Sequence, residues 1–519
     1  MDFDVVVAGA GPVGLMLAGE LRLRGVSVLV VERLTEPSDT IRAGSINVPT
    51  AEACDRRGLL EKLAEVHAHI MEQMAAFAGK PAGGTPPGKL AGGPPPRRLA
   101  GHFAGLWELD VDRLDLTDPD FQAGPAAMVS VVPQQALEQI LGDWATKLGV
   151  EIRRGVELTG CTADESGVTV ELAPSGTVRA GWLVGCDGGR SVVRKLAGFD
   201  FPGTDPVITG HQAIVELADP EKLPKGWNRT PVGMLVYGPG PNRILTVDFA
   251  GPPADRDAPV TPAELQASLR HVSGTDVTIT AVHSATRFTD NARQASTYRR
   301  GRVLLAGDAA HVHSPFSGQG LNLGIGDAVN LGWKLAGAVQ GWAPTDLLDS
   351  YTTERHPIGA WVLEWTRAQV ALMRPDALTG ALRDVITDLM GTRDGNTYFI
   401  KKIAGVDRNY DLGGGHPLVG KRAQELELAD GTRLADHCHD GRALLLDLAD
   451  DAELRELAAG WTDRVQVLTT TAASHPELTG LLVRPDGHVA WAADTAGDRE
   501  TLATALNRWF GVPVTVAVS

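Results

Sequence analysis

Cysteine is scarce. The chain has four in 519 residues, at 54, 161, 186 and 438, and no C-x-x-C pair. That count excludes a disulfide scaffold and suits a reducing cytosol, so a cytoplasmic location is expected. Positive charge is also in deficit. Lys plus Arg is 48 against 64 Asp plus Glu, for a net charge of −16. Binding to phosphate backbones or anionic membrane surfaces needs a basic footprint, so neither nucleic acid nor membrane is an expected partner. Long apolar runs are missing too. The stretch after Met1-Asp2-Phe3-Asp4 is interrupted by Gly9, Gly11, Pro12 and Gly14 and ends at Glu20. It reads as neither signal peptide nor membrane span. No G-x-S-x-G elbow surrounds Ser45, Ser191 or Ser317, so hydrolase chemistry is unsupported. His311 and His313 are two apart with no Cys or further His nearby, so no metal is expected.

Glycine, by contrast, is plentiful: 60 residues, above the usual share. Its placement is informative. Phe3 to Ala8 is an apolar run broken only by Asp4, and Val26 to Val31 is another, the pattern of strands buried on both faces of a parallel sheet. Val13, Leu17 and Leu21 recur between them at helical spacing, which predicts a βαβ unit. Residues 79 to 98 are rich in Pro and Gly and predict a surface loop, either a tolerated insertion or a lid. A helix is predicted over Gln135 to Leu148, antiparallel strands over Val168 to Leu172 and Val178 to Val184, and a long helix over Leu321 to Val339. Residues 206 to 287 read as a separate sheet-rich region. The last hundred residues run strand, helix, strand, hairpin, helix, with the hairpin turning at Pro485-Asp486-Gly487.

Three motifs carry chemistry. The first is Gly9-x-Gly11-x-x-Gly14, between strand and helix, with Glu32 ending the next strand 18 residues later. Gly9 permits the tight turn, Gly11 lets a pyrophosphate approach the backbone, and Gly14 lets helix pack on strand. The helix N-terminus suits the phosphates and Glu32 suits the ribose hydroxyls. This motif alone does not separate FAD from NAD. The second is Gly307-Asp308 after the strand Val303 to Ala306, followed by Pro315 and Gly318-Gln319-Gly320-Leu321-Asn322. An ionised Asp is acceptor-only and suits a sugar-alcohol chain. The N–H groups at the helix start suit the negative charge of a reduced flavin. An Asp cap on a plain glycine turn is the competing explanation. The third is Gly185-Cys186-Asp187-Gly188-Gly189-Arg190-Ser191, which is equally compatible with an Asp-Gly turn ending a strand.

In this order and at these separations the motifs resemble the class A FAD-dependent aromatic hydroxylases of the p-hydroxybenzoate hydroxylase group. The nearer resemblance is to hydroxylases of angucycline-, anthracycline- and tetracycline-type polyketides, and it covers nearly the whole chain. It implies an α/β plus β architecture: a Rossmann-like FAD-binding domain (1–72, 128–205 and 288–400), a substrate-binding middle domain (73–127 and 206–287) and a thioredoxin-like C-terminal domain (415–519) without redox thiols. The resemblance assigns FAD to Gly9, Gly11, Pro12, Val13, Gly14, Glu32, Arg33, Arg42, Gln134, Asp187, Gly307, Asp308, Leu321 and Asn322, with Pro315, Gly318 and Gly320 nearest the chemistry. Two departures stand out: Ile41-Arg42 where the family has Ser-Arg, and Ser317-Gly318-Gln319-Gly320 where it has Gly-Gly-Gln-Gly. Trp107, Trp227, Met234, Tyr237 and Phe316 are candidate substrate contacts.

The implied activity is monooxygenation of an aromatic polyketide in antibiotic biosynthesis. NADPH or NADH would be the reductant and O2 the co-substrate, through a C4a-hydroperoxyflavin. No second dinucleotide motif offers a separate NAD(P)H domain. The protein is expected to be a monomer or homodimer. A Baeyer–Villiger oxygenase on the same scaffold, a flavin-dependent reductase and a non-enzymatic flavoprotein that sequesters an aromatic metabolite are the alternatives.

Overall fold

The computed structural model describes residues 1–514 apart from 39, 41, 78–98, 116–117, 122–123, 239, 241, 257 and 473–474. The Pro/Gly-rich loop expected at 79–98 and the departure at Ile41 therefore lie outside the described residues.

The apolar runs form the centre of an eight-stranded sheet. Its main path runs Arg299–Arg300, Val303–Leu305, Gly176–Gly185, Phe3–Ala8, Val28–Glu32, Glu151–Arg154. The four pairings from Val303–Leu305 across to Glu151–Arg154 are parallel. Val5, Val6, Val7, Leu29 and Val30 are fully buried, as strands covered on both faces must be. The helices Pro12–Arg22 and Gln319–Gln340 pack against each other over this core. The antiparallel pair predicted around residues 168 to 184 is observed, but its second member extends over Gly176–Gly185 and also pairs in parallel with Phe3–Ala8.

A second sheet of five antiparallel strands has the order Gly226–Arg229, Gly233–Tyr237, Arg243–Asp248, Thr209–Leu217, Ile279–Phe288. The two faces separate by residue parity. Leu235, Tyr237 and Ile244 pack under the helix Pro262–Ser273. Met234, Val236, Leu245 and Val247 face the other way, toward Phe103, Phe316, Trp365, Met390 and Phe399. The helices Ser350–Met373, Ala377–Met390 and Arg393–Ala404 thus share a core with this sheet. The division expected at 288–400 follows the chain but not the packing.

The C-terminal sheet has the order Val465–Thr469, Ala443–Asp447, Gly480–Val483, Val489–Ala493, one parallel pair followed by a hairpin, with helices Ala452–Ala458 and Arg499–Phe510. This is the thioredoxin-like arrangement, and its Cys438 is a buried free thiol. Two buried arginines dock it onto the first domain. Arg57 donates to Glu20 Oε1 at 2.5 Å and to the carbonyls of Cys438 and Pro485. Arg484 pairs with Glu354 at 2.7 Å and with Asp486.

Candidate functional site

The site begins with register. Ala8, Gly185 and Leu305 lie in one row across three adjacent parallel strands. The three motifs, nearly three hundred positions apart in sequence, therefore start side by side at the carboxyl edge of the sheet. That edge is where ligands bind in open α/β sheets.

Backbone crowding explains two of the first three glycines. Gly9 has φ +106°, and a Cβ there would sit 2.4 Å from the Cys186 carbonyl oxygen. A Cβ on Gly14 would sit 2.0 Å from the Gly9 oxygen. Gly11 differs: nothing lies within 4 Å of its Cβ position, so no packing within the protein demands glycine there. The helix Pro12–Arg22 has neither a side-chain cap nor an acid in its first turn. Its first N–H groups are free for phosphate oxygens. Glu32 closes the turn by accepting the Ala10 and Leu34 N–H groups, each at 2.9 Å, one on each carboxylate oxygen. The remaining lone pairs suit ribose hydroxyls. Arg33 is exposed. Val13 contributes through its side chain, which touches the Cβ positions of Gly307 and Gly324 and joins the two halves of the site.

Gly307 has φ +64° and presents Asp308, which is exposed and has no hydrogen bond among the described residues. Asp308 Oδ1 lies 3.8 Å from the Cβ position of Gly320. The helix Gln319–Gln340 starts from Gly318 in the left-handed region, again with no side-chain cap and no first-turn acid. Helices at Val48, Pro262, Ala377 and Arg393 start instead with Asn, Thr or Asp caps. Asn322 fixes the loop: its Oδ1 accepts the Asn47 N–H at 2.8 Å and its Nδ2 donates to the Gly318 carbonyl at 2.7 Å. Pro315 is exposed at the loop's start. Gln134 opens its helix with an N–H donated to Ala43 at 2.9 Å, beside the exposed Arg42. Asp187 Oδ2 caps the helix Val192–Leu196 through the Val192 and Val193 N–H groups, while its buried Oδ1 has no partner.

These features fit FAD. Gly11 leaves room for a pyrophosphate, Glu32 keeps lone pairs that ribose hydroxyls could use, and Asp308 and the orphaned Asp187 Oδ1 offer acceptors to a hydroxylated chain. The uncapped helix at Gln319 offers N–H groups to the flavin.

Four of the five expected substrate contacts lie together. Trp107, Trp227, Met234 and Phe316 belong to the apolar cluster between the five-stranded sheet and the flavin loop. Trp107 Nε1 donates to Thr387 Oγ1 at 2.7 Å, Trp227 packs on His102 with centroids 4.4 Å apart, and Phe316 meets Phe288 edge-on at 6.0 Å. Burial pushes the His102 imidazole down to about 4. Tyr237 is a correction. It lies an odd number of positions from Met234 on one strand, so it faces the helix Pro262–Ser273 on the opposite side of the sheet.

Sequence reasoning missed several polar groups. Asp327 is fully buried and accepts the Gly307 N–H at 3.0 Å, His311 Nε2 at 2.7 Å and Arg355 Nε at 2.8 Å. Burial opposes its ionisation, yet His311 and Arg355 hold its carboxyl below the usual range. Arg355 donates on to Tyr410 Oη at 3.1 Å. His313 sits beside Gly320, and burial pushes it down to about 4. Arg243 is largely buried, has no ion pair among the described residues, and its Nη1 lies 3.8 Å from the Cβ position of Gly44. None of these belongs to a glycine motif; only the His311 and His313 pair drew notice in the sequence, and then only in weighing a metal.

The comparisons agree with this geometry. The FAD binding domain family matches residues 2–366, and the family of the aromatic-ring hydroxylase C-terminal region matches residues 416–513. The chain is similar to rifampicin monooxygenase of Streptomyces venezuelae, 42% identical over 515 residues that cover 98% of this chain and 99% of that one. It is 41% identical over 541 residues to 12-dehydrotetracycline 5-monooxygenase/anhydrotetracycline 6-monooxygenase of Streptomyces rimosus subsp. rimosus, covering 99% of this chain and all of that one. The crystal structure of CabE, an aromatic hydroxylase from angucycline biosynthesis, superposes with a TM-score of 0.83 at 39% identity, over 99% of this chain and 100% of CabE. With one row of glycine turns built for FAD and both family regions in place, the chain belongs to the FAD-dependent aromatic-ring hydroxylases.

Proposed function

We propose that the chain hydroxylates a polycyclic aromatic polyketide in antibiotic biosynthesis, with FAD as cofactor, NADPH or NADH as reductant and O2 as co-substrate. The observation that carries this reading is the meeting of two surfaces. The Gly307–Asn322 loop ends in an uncapped helix N-terminus, and an aromatic-lined apolar cluster lies directly against it through Phe316. The names of the relatives, which act in tetracycline, rifampicin and angucycline chemistry, support the substrate class.

FAD, when bound, supplies the acceptance of hydride and the activation of O2 for transfer of one oxygen atom. The chain's own residues hold and orient. Gly9, Gly11 and Gly14 with the helix Pro12–Arg22 bind the pyrophosphate. Glu32 binds the ribose, and Asp308 with Asp187 Oδ1 binds the ribityl hydroxyls. Asp327 keeps the Gly307 turn rigid through three hydrogen bonds. The N–H groups of Gly320 to Asn322 stabilise negative charge at the flavin edge. Met234, Val236, Trp227, Trp107 and Phe316 exclude water and position a flat ring against the loop.

The test is product analysis under 18O2. The FAD-loaded protein is supplied with NADPH and rifampicin, anhydrotetracycline or an angucycline quinone. One labelled oxygen on a ring carbon, located by NMR, supports the reading. An inserted ester oxygen redirects it to Baeyer–Villiger chemistry. Reduction without oxygen uptake sinks it.

A further inference from the structure

Among the described residues, each fully buried arginine has a carboxylate or a backbone carbonyl as partner. Arg57 lies on Glu20, Arg355 on Asp327, Arg422 on Glu52 and Arg484 on Glu354. Arg194 and Arg383 donate to backbone carbonyls. Arg408, which is half-buried, shares with Arg243 the lack of either kind of partner among the described residues. Its Nε is shielded and unpartnered, and one terminal nitrogen donates to the neutral Oε1 of Gln319. Its guanidinium lies 5.0 Å from the centroid of the Trp361 ring. The neighbouring acid, Asp407, is taken by Lys402 Nζ at 2.5 Å. Burial pushes the Arg408 guanidinium down to about 10, so it is still a cation at neutral pH. A shielded cation without a counter-charge is costly, and an arriving anion removes that cost.

The surroundings say where the anion comes from. Gln319 is the first residue of the helix at the flavin loop. Trp361 stacks on Trp365 at 5.2 Å, and Trp365 packs on Phe103 and Phe399 at 4.9 and 5.8 Å, inside the substrate-side apolar cluster. Arg408 therefore caps the aromatic cluster at the end that meets the loop. Beyond Gly320, His313 presents a second orphan. Its Nδ1 bonds the Ser314 carbonyl at 2.7 Å, and its Nε2 is shielded without a partner.

We propose that Arg408 recognises an anionic oxygen, a phenolate or an enolate, carried by the aromatic substrate. This rests on the hydroxylase reading above. The chemistry is a simple ionisation: the phenol O–H bond breaks, the proton leaves to solvent, and the electron pair stays on oxygen beside the guanidinium. The anion enriches the ring carbons ortho and para to it, which electrophilic oxygen transfer requires. The other charged or titratable groups around Arg408 are Arg355 and His313 near the loop, Lys402 over the Trp361 ring, Asp407, and Tyr410. Arg355 and Lys402 already hold the carboxylates of Asp327 and Asp407.

The probe is 1,8-dihydroxyanthraquinone, whose colour reports its ionisation, titrated by absorbance with the FAD-loaded full chain. The bound phenolate is expected to appear about one pH unit or more below the free dye, a tenfold gain for the anion. Arg408→Gln should abolish that gain and Arg408→Lys should keep part of it. Equal midpoints for wild type and Arg408→Gln overturn the proposal, as does a wild-type midpoint equal to that of the free dye. Sulfite binding to the flavin, measured without dye, separates the other source of negative charge. If Arg408→Gln weakens sulfite binding about tenfold and leaves the dye midpoint in place, the anion belongs to the cofactor and the proposal falls. Should Arg408→Gln fail to take up FAD, the wild-type and Arg408→Lys midpoints decide the matter. Wild-type protein that takes up no FAD sinks the hydroxylase reading itself, a different failure from unchanged midpoints in a yellow protein.

Discussion

Gly11→Ala and Gly14→Ala separate binding from folding within one motif. At Gly11 the backbone is ordinary, φ −75° and ψ 177°, and the added methyl meets nothing within 4 Å. The apoprotein should keep its stability to within about 0.5 kcal/mol. With FAD the same methyl stands where pyrophosphate oxygens must touch the backbone. A loss of about 100-fold in FAD affinity is expected, which is about 2.8 kcal/mol at 1.4 kcal/mol per tenfold. At Gly14 the methyl sits 2.0 Å from the Gly9 oxygen and 3.3 Å from Cys186 Cβ, so helix must leave strand. Overpacking of that kind costs about 3 kcal/mol or more and is felt without any ligand. Urea unfolding of the two apoproteins and FAD titration by fluorescence quenching give both numbers. Gly11→Ala binding FAD like wild type would refute the assignment of that space to the pyrophosphate. Gly14→Ala folding unchanged would refute the packing argument.

Other outcomes follow from the same geometry. Asp327→Asn leaves Arg355 buried without its carboxylate and should cost about 3–5 kcal/mol in urea unfolding; a loss under about 1 kcal/mol contradicts the three-way anchor. Glu264 is held down to about 2 by Arg287, hydrogen-bonded at 2.5 and 2.7 Å, and by His211. Its folded value is depressed, so its stabilisation is complete above the usual 4.5 and fades as pH falls toward 2. Glu264→Gln should flatten stability against pH in that window, and an unchanged slope counts against the pair. Met234→Trp adds bulk to the apolar cluster beside the flavin loop and should raise KM about tenfold, whereas Tyr237→Phe, on the far face, should change kcat and KM less than about twofold. A Tyr237→Phe effect as large as that of Met234→Trp would reverse the assignment of faces.

What the sequence revealed, and what it hid, has a physical pattern. Gly9, Gly14 and Gly307 were legible because a close backbone approach or a positive φ leaves glycine alone acceptable there. Glu32 was legible because it ends a buried strand. The C-terminal order was legible because its strands are short apolar runs with a Pro485-Asp486-Gly487 turn between two of them. Tyr237 was misread because sequence does not say which parity of a fully buried strand faces the ligand; all five residues of Gly233–Tyr237 are buried. The stretch 288–400, with most of the helices Ala377–Met390 and Arg393–Ala404, was counted with the FAD domain on the family resemblance, while Met390 and Phe399 bury against the middle sheet. Asp327, Arg355 and Arg408 were invisible because each is one polar residue whose partner is distant in sequence. Only the fold brings Gln319 to Arg408 or Gly307 to Asp327.

The central claim is that one FAD lies along the row that starts Gly9, Asp187 and Gly307. The most direct measurement is a crystal structure of the protein grown with FAD. The account predicts one cofactor per chain, its adenosine ribose on Glu32, its pyrophosphate against Gly11 and its ribityl chain on Asp308. Density for FAD elsewhere, or a yellow protein whose ribityl chain avoids Asp308, would contradict it.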